Sequence, residues 1–143
     1  MLIHTAHVPR GQGPFPTVIA IHGWGASAHD LLGLAPHLLD GQALVLCPQG
    51  EVEVPIAPGY SGYGWFPLRP GVLADPAEVL SAAEALRAFV EQAAARYPVD
   101  PERLALLGFS QGGVMAYELG LRQPERFAGI AALSTWLPPQ LAT

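Results

Sequence analysis

Lysine is absent from the 143 residues, and the seven cations are arginines scattered along the chain. With a formal charge of −5 and no basic run, the chain lacks the clustered cations that neutralise phosphates, which excludes a nucleic-acid surface. Cysteine occurs once, so no internal disulfide can form. That residue, Cys47, lies in the apolar run Ala43–Cys47 with no cation or histidine beside it and reads as a small buried hydrophobe, not a reactive thiol. No stretch approaches the ~18 uninterrupted apolar residues of a membrane span. The start, Met1-Leu2-Ile3-His4, has neither the basic n-region nor the apolar core of a secretory leader, so a cytoplasmic setting is expected. No phosphate loop occurs, and no His/Asp/Glu cluster has ligand spacing, so neither metal nor cofactor is expected.

What remains is strongly apolar. Half the residues are hydrophobic and only 13% are charged, enough for a buried core in one domain. The runs Thr17–Ile21, Ala43–Cys47, Leu104–Phe109 and Ala128–Leu133 are continuous and not alternating, as in strands buried on both faces of a parallel sheet. A helix is predicted from an Asp75 cap, with Pro76 at its first position and Glu78 completing a capping box. Val79, Ala82, Ala83, Leu86, Phe89, Val90 and Ala93 give it one apolar face, and Pro98 ends it. A second helix is expected over Gln111–Arg122, and a shorter one over His29–Leu39 in spite of Gly33 and Pro36. Strands alternating with helices make an α/β fold of right-handed crossovers. The segment Gly50–Gly71 holds four prolines and five glycines without a period, and reads as a long substrate-facing loop.

The chemistry is carried by Gly108-Phe109-Ser110-Gln111-Gly112, a G-x-S-x-G pattern that closes an apolar strand and opens a helix. A serine on so sharp a turn exposes its hydroxyl, and the glycines leave room for helix to pack on strand. The helix start directs free N–H groups at developing negative charge. Acyl transfer needs two such donors for its oxyanion. One is expected from the backbone of Gln111. The other is expected from His22-Gly23-Trp24-Gly25, the loop after the first strong strand. His22 itself precedes the nucleophile, the wrong order for a triad base, and is expected to serve structurally.

The motifs HGWG at 22–25, YGWF at 63–66 and VDPER at 99–103 leading into GFSQGG at 108–113 resemble the phospholipase/carboxylesterase family, which includes the acyl-protein thioesterases. The resemblance spans about Phe15 to Pro138. It implies an α/β-hydrolase fold, a mostly parallel sheet with helices on both faces, and cofactor-free hydrolysis of small carboxylic esters or thioesters. By position it implies Ser110 as nucleophile, the amides of Trp24 and Gln111 as the oxyanion hole, and Trp65 and Phe66 as part of an acyl pocket. Pro67 stands where the family usually has an aspartate.

One further absence now matters. In this fold the triad runs Ser, then Asp or Glu, then His. After Ser110 there is no histidine and no aspartate, only Glu118 and Glu125. Residues 1–143 are therefore expected to be a single but incomplete domain, lacking C-terminal strands, with Asp and His supplied by a companion chain or C-terminal fragment. The alternatives are a catalytically inactive, hydrolase-like interaction module, or an enzyme passing the acyl group to an acceptor other than water.

Overall fold

The computed structural model describes residues 1–142. Five strands form the central sheet: β1 (His4–His7), β2 (Phe15–Ile21), β3 (Leu44–Pro48), β6 (Val99–Phe109) and β7 (Gly129–Leu133). Between β3 and β6 the chain forms a separate hairpin of β4 (Val52–Ala57) and β5 (Tyr60–Gly64). The sheet order is β1-β3-β2-β6-β7, and every pairing is parallel except β1 with β3.

All four continuous apolar runs are strands. Two of the three helices also lie where expected. In α1 (Pro76–Arg96), the Asp75 carboxylate accepts from the Ala77 N–H at 2.9 Å, and Val79, Ala83, Leu86, Phe89, Val90 and Ala93 are buried. Glu78 does not turn back to close a capping box. Its carboxylate takes two 3.0 Å bonds from the Arg69 guanidinium, a fork that matches it better than a single amide does. The helix stops because Tyr97, next to Pro98, is extended. The second helix, α2, runs Gln111–Gly120.

Two further expectations need correction, and one strand was not foreseen. Over His29–Leu39 the chain forms only a 3-10 turn, Leu32–His37, because Pro36 inside it cannot donate to a regular ladder. The segment Gly50–Gly71 is not one irregular loop, since most of it is the β4–β5 hairpin, turned by Pro58 and by Gly59 at φ 74°. The strand β1 carried no sequence signal, being four residues long with two histidines.

Helices α1 and α2 cover one face of the sheet, where Ile19, Ile21, Leu44, Leu46, Leu104 and Leu106 meet Phe89, Leu86, Met115 and Leu119. The other face is covered over β2 and β3 by Leu31, Leu32, Leu34 and Leu38 of the 3-10 segment. At β7 the residues alternate: Ile130 and Ala132 turn inward, while Gly129, Ala131 and Leu133 are exposed. The crossover after β2 runs to β3 in one direction, and that after β6 runs to β7 in the other. A crevice must open between the carboxyl ends of two adjacent parallel strands whose connections diverge in this way. Those ends carry His22–Gly25 and Ser110.

Candidate active site

Ser110 links β6 to α2 with φ 54° and ψ −118°, a left-handed conformation that an L-residue holds only under constraint. Three hydrogen bonds supply it. The Ser110 N–H donates to the Leu133 carbonyl at 2.9 Å, and the Ser110 carbonyl accepts from the Gly113 N–H at 2.9 Å and from the Thr135 hydroxyl at 2.6 Å. At Gly112 a Cβ would lie 2.0 Å from the Ile21 carbonyl oxygen, so only glycine lets α2 sit this close to β2.

The serine is half-buried and borders a cleft of about 360 Å3, which is lined also by Gly23–Ala26, Asp30, Tyr60 and Phe109. Gly23 stands so near that a Cβ there would be 3.3 Å from the Ser110 Cβ. In the Gly23–Ala26 turn, Gly25 donates to the Tyr63 carbonyl and Ala26 to that of Gly23. The Trp24 N–H has no backbone carbonyl partner among the described residues. The Gln111 N–H, first in α2, has no carbonyl to reach within the helix. Trp24, Ser110 and Gln111 are thus brought together.

Trp65 and Phe66 are placed differently. Both are buried, and they are held by the Gln111 side chain, whose Oε1 accepts from the Trp65 N–H at 2.6 Å and whose Nε2 donates to the Phe66 carbonyl at 2.7 Å. The Trp65 indole N–H donates to the His22 carbonyl at 2.9 Å, and its ring lies against the His22 imidazole. Neither aromatic lines the Ser110 cleft. Phe66 instead borders a separate apolar cavity of about 300 Å3, with Leu73, Val79, Val114, Trp136 and Leu137 also in its walls. That cavity is near Ser110: Val114 is one helical turn beyond it, and Trp136 follows Thr135.

His22 is fully engaged. The Gly50 N–H can only donate, so Nε2 accepts it at 3.0 Å, and Nδ1 carries the hydrogen given to the Gly23 carbonyl at 2.7 Å. Burial pushes its pKa below the usual imidazole value, partly opposed by the Gly23 hydrogen bond. A neutral ring with both nitrogens occupied ties β2 to the start of the hairpin. Two of the other histidines are turned to other tasks, His4 bonding Tyr97 and His7 the Gly41 carbonyl, and none of the other four lines the cleft. Burial raises the Cys47 thiol to about 11, so it is inert. Sequence reasoning missed Asp30 and Tyr60 at the cleft wall, the Gln111 clasp and the Thr135 contact. No signal in the sequence pointed to them, since the burial of Gln111 is visible only in the structure.

Residues 5–143 match the phospholipase/carboxylesterase family. The chain belongs to this family. Acyl-protein thioesterase 1 of Cryptococcus neoformans is 32% identical over 130 residues, which cover 85% of this chain and 55% of that protein. The putative esterase NocK of Nocardia uniformis is 31% identical over 135 residues, which make up 92% of this chain and 35% of NocK. Among solved structures, esterase PE8 superposes with a TM-score of 0.80 at 29% identity, covering 95% of this chain and 65% of PE8. The Bacillus cereus carboxylesterase gives a TM-score of 0.78 at 24% identity, over 98% of this chain and 63% of its own, and so shares the fold. The chain therefore spans about two thirds or less of the phospholipase/carboxylesterase relatives it matches, and it has the α/β-hydrolase fold. No helix among the described residues is long and apolar enough to cross a membrane.

Proposed function

We propose that this chain is the nucleophile-bearing part of a serine hydrolase acting on small carboxylic esters or thioesters. The observation that carries the reading is the strained Ser110, opening onto a cleft whose opposite wall is the Gly23–Ala26 turn. Ser110 Oγ attacks the acyl carbon while its proton passes to an imidazole. The oxyanion is held by the N–H groups of Trp24 and Gln111, and the alcohol or thiol leaves with that proton. Water then attacks the acyl-serine by the reverse route and frees the acid. The apolar cavity beside Phe66 and Val114 suits the acyl chain, and its volume of about 300 Å3 favours a short to medium one. In this reading Phe66 lines the acyl site, and Trp65 acts indirectly by holding His22.

The imidazole and its carboxylate partner come, on this reading, from outside residues 1–143, in a companion chain or a further C-terminal segment. His22 has no free nitrogen and no other histidine borders the cleft. The sheet offers a place for such an addition at β7, whose outer edge pairs with no strand among the described residues and whose Leu133 is exposed. The setting proposed is cytoplasmic.

A short-chain p-nitrophenyl ester tests the assignment. The holoprotein should release a burst of p-nitrophenol equal to the enzyme present, and Ser110→Ala should abolish it. A burst that survives Ser110→Ala rules Ser110 out as nucleophile. The lack of a cleft histidine also supports a second reading, a hydrolase-like binding module without turnover. An intact mass of this chain alone, with no burst, would favour that reading.

A further inference from the structure

The mechanism above uses the Ser110–Gln111 peptide for one thing only, the Gln111 N–H. The other end of the same peptide is the Ser110 carbonyl, and it receives two donors. One is the Gly113 N–H at 2.9 Å, an ordinary feature of a helix start. The other comes from outside the helix: the Thr135 hydroxyl, two residues beyond the end of β7, donates at 2.6 Å.

A peptide group is planar, and a trans one has its N–H and C=O antiparallel. The single cis bond among the described residues is Gly13–Pro14, so the Ser110–Gln111 peptide is trans. Whatever fixes the direction of the Ser110 carbonyl therefore fixes the direction of the Gln111 N–H. Hydrogen bonds to one end of a peptide also polarise it, making the opposite end a stronger donor. Thr135 is well set for the task, because its side chain is packed against α2: a Cβ on Gly113 would lie 2.5 Å from the Thr135 Cβ, Cγ2 and Oγ1. The hydroxyl is thereby held towards the nucleophile turn.

We propose that Thr135 is a positioning residue, whose hydroxyl, through the Ser110 carbonyl, aims and polarises the Gln111 N–H that the proposed oxyanion hole uses. The inference rests on that reading of the site for its effect on rate, but not for its effect on the amide. It also gives β7 a role beyond the sheet. The strand end supplies the Leu133 carbonyl to the Ser110 N–H and the Thr135 hydroxyl to the Ser110 carbonyl, so both peptides flanking the nucleophile are pinned from one segment.

Two readouts on the full chain test it. In proton–nitrogen correlation spectra, Thr135→Val removes the hydroxyl at nearly constant shape and should move the Gln111 amide proton upfield. Thr135→Ser keeps the hydroxyl and should leave the resonance near its wild-type position. Thr135→Ala, which relieves crowding at Gly113, serves the same purpose if the valine variant does not fold. In the p-nitrophenyl ester assay, Val should lower the acylation rate roughly five- to tenfold, the worth of one neutral hydrogen bond, with KM little changed, and Ser should restore it. A Gln111 amide unmoved in the folded Val or Ala variant overturns the proposal, as does an equal loss of rate in Val and Ser. If the wild type itself is never acylated, the hydrolase reading fails, and the amide shift still decides whether Thr135 governs this peptide.

Discussion

Ser110 holds a backbone conformation that a side chain makes costly. Residues in such regions carry on the order of 1–3 kcal/mol of strain, maintained by the surrounding structure. Glycine at φ 54° and ψ −118° has no Cβ to clash, although it gains freedom in the unfolded chain. The relief should exceed that loss. Ser110→Gly is therefore expected to raise the unfolding midpoint in urea while removing the burst, whereas Ser110→Ala, which keeps the Cβ, should leave the midpoint near wild type. A midpoint for Ser110→Gly below wild type would mean the turn is not strained. The turn at Ser110 and Gln111 and the loop at Trp24 could be placed from the sequence because G-x-S-x-G and HGWG are local motifs with local geometry. Thr135 could not be named, since its contact with Ser110 joins residues 25 apart and depends on how β7 lies beside β6. Trp65 and Phe66 were legible as aromatics near the site. Their burial on the Gln111 side chain was not, because a glutamine facing inward looks the same in sequence as one facing water.

Among the elements, the hairpin is the one that sequence reasoning mistook. Prolines and glycines are frequent in Gly50–Gly71 and hide the alternation of Glu51-Val52-Glu53-Val54, from which β4 starts at Val52. The reason those glycines are there appears only in three dimensions. A Cβ on Gly62 would fall 1.9 Å from the Gly25 carbonyl oxygen, because β5 lies directly against the Gly23–Ala26 turn. Tyr63 donates to the Ala26 carbonyl at 2.7 Å and accepts from the Gly25 N–H at 2.8 Å, so the turn is joined to β5 by a single antiparallel bridge. Gly62→Ala is expected to push the two apart. It should destabilise the fold by about 1–3 kcal/mol in urea unfolding, as overpacking commonly does, and lower the acylation rate more than it changes KM. Wild-type acylation in a Gly62→Ala variant would show that the hairpin does not support the turn. The four central strands and α1 were legible because continuous apolar runs and a capped amphipathic pattern each allow one answer. The 3-10 segment Leu32–His37 was not, since its apolar residues fit a helix and only Gly33 and Pro36 argue against one.

Over the whole molecule, acid sensitivity should follow from His22. Its folded-state pKa lies below the ordinary value of about 6.5, so between those two values the unfolded chain binds a proton that the native one refuses. Stability is then full above about pH 6.5 and falls as the pH drops through that value towards the lowered one. Exposed carboxylates held low by arginines, such as Asp100 beside Arg103, weaken the fold only at more acidic pH. Urea midpoints at pH 7 and pH 5 should differ in the wild type, and His22→Gln should flatten that difference even though it lowers stability at both. An equal pH dependence in the two proteins would place the sensitivity elsewhere.

The twisted backbone at residue 110 has a bearing on ancestry. A lineage that had abandoned chemistry would meet a constant thermodynamic pull to trade this whole side chain for a hydrogen, with a sturdier molecule as the reward. That the serine stands at such an angle, inside a sheet shaped to hold it there, is what the proposed nucleophile role would ask of residue 110.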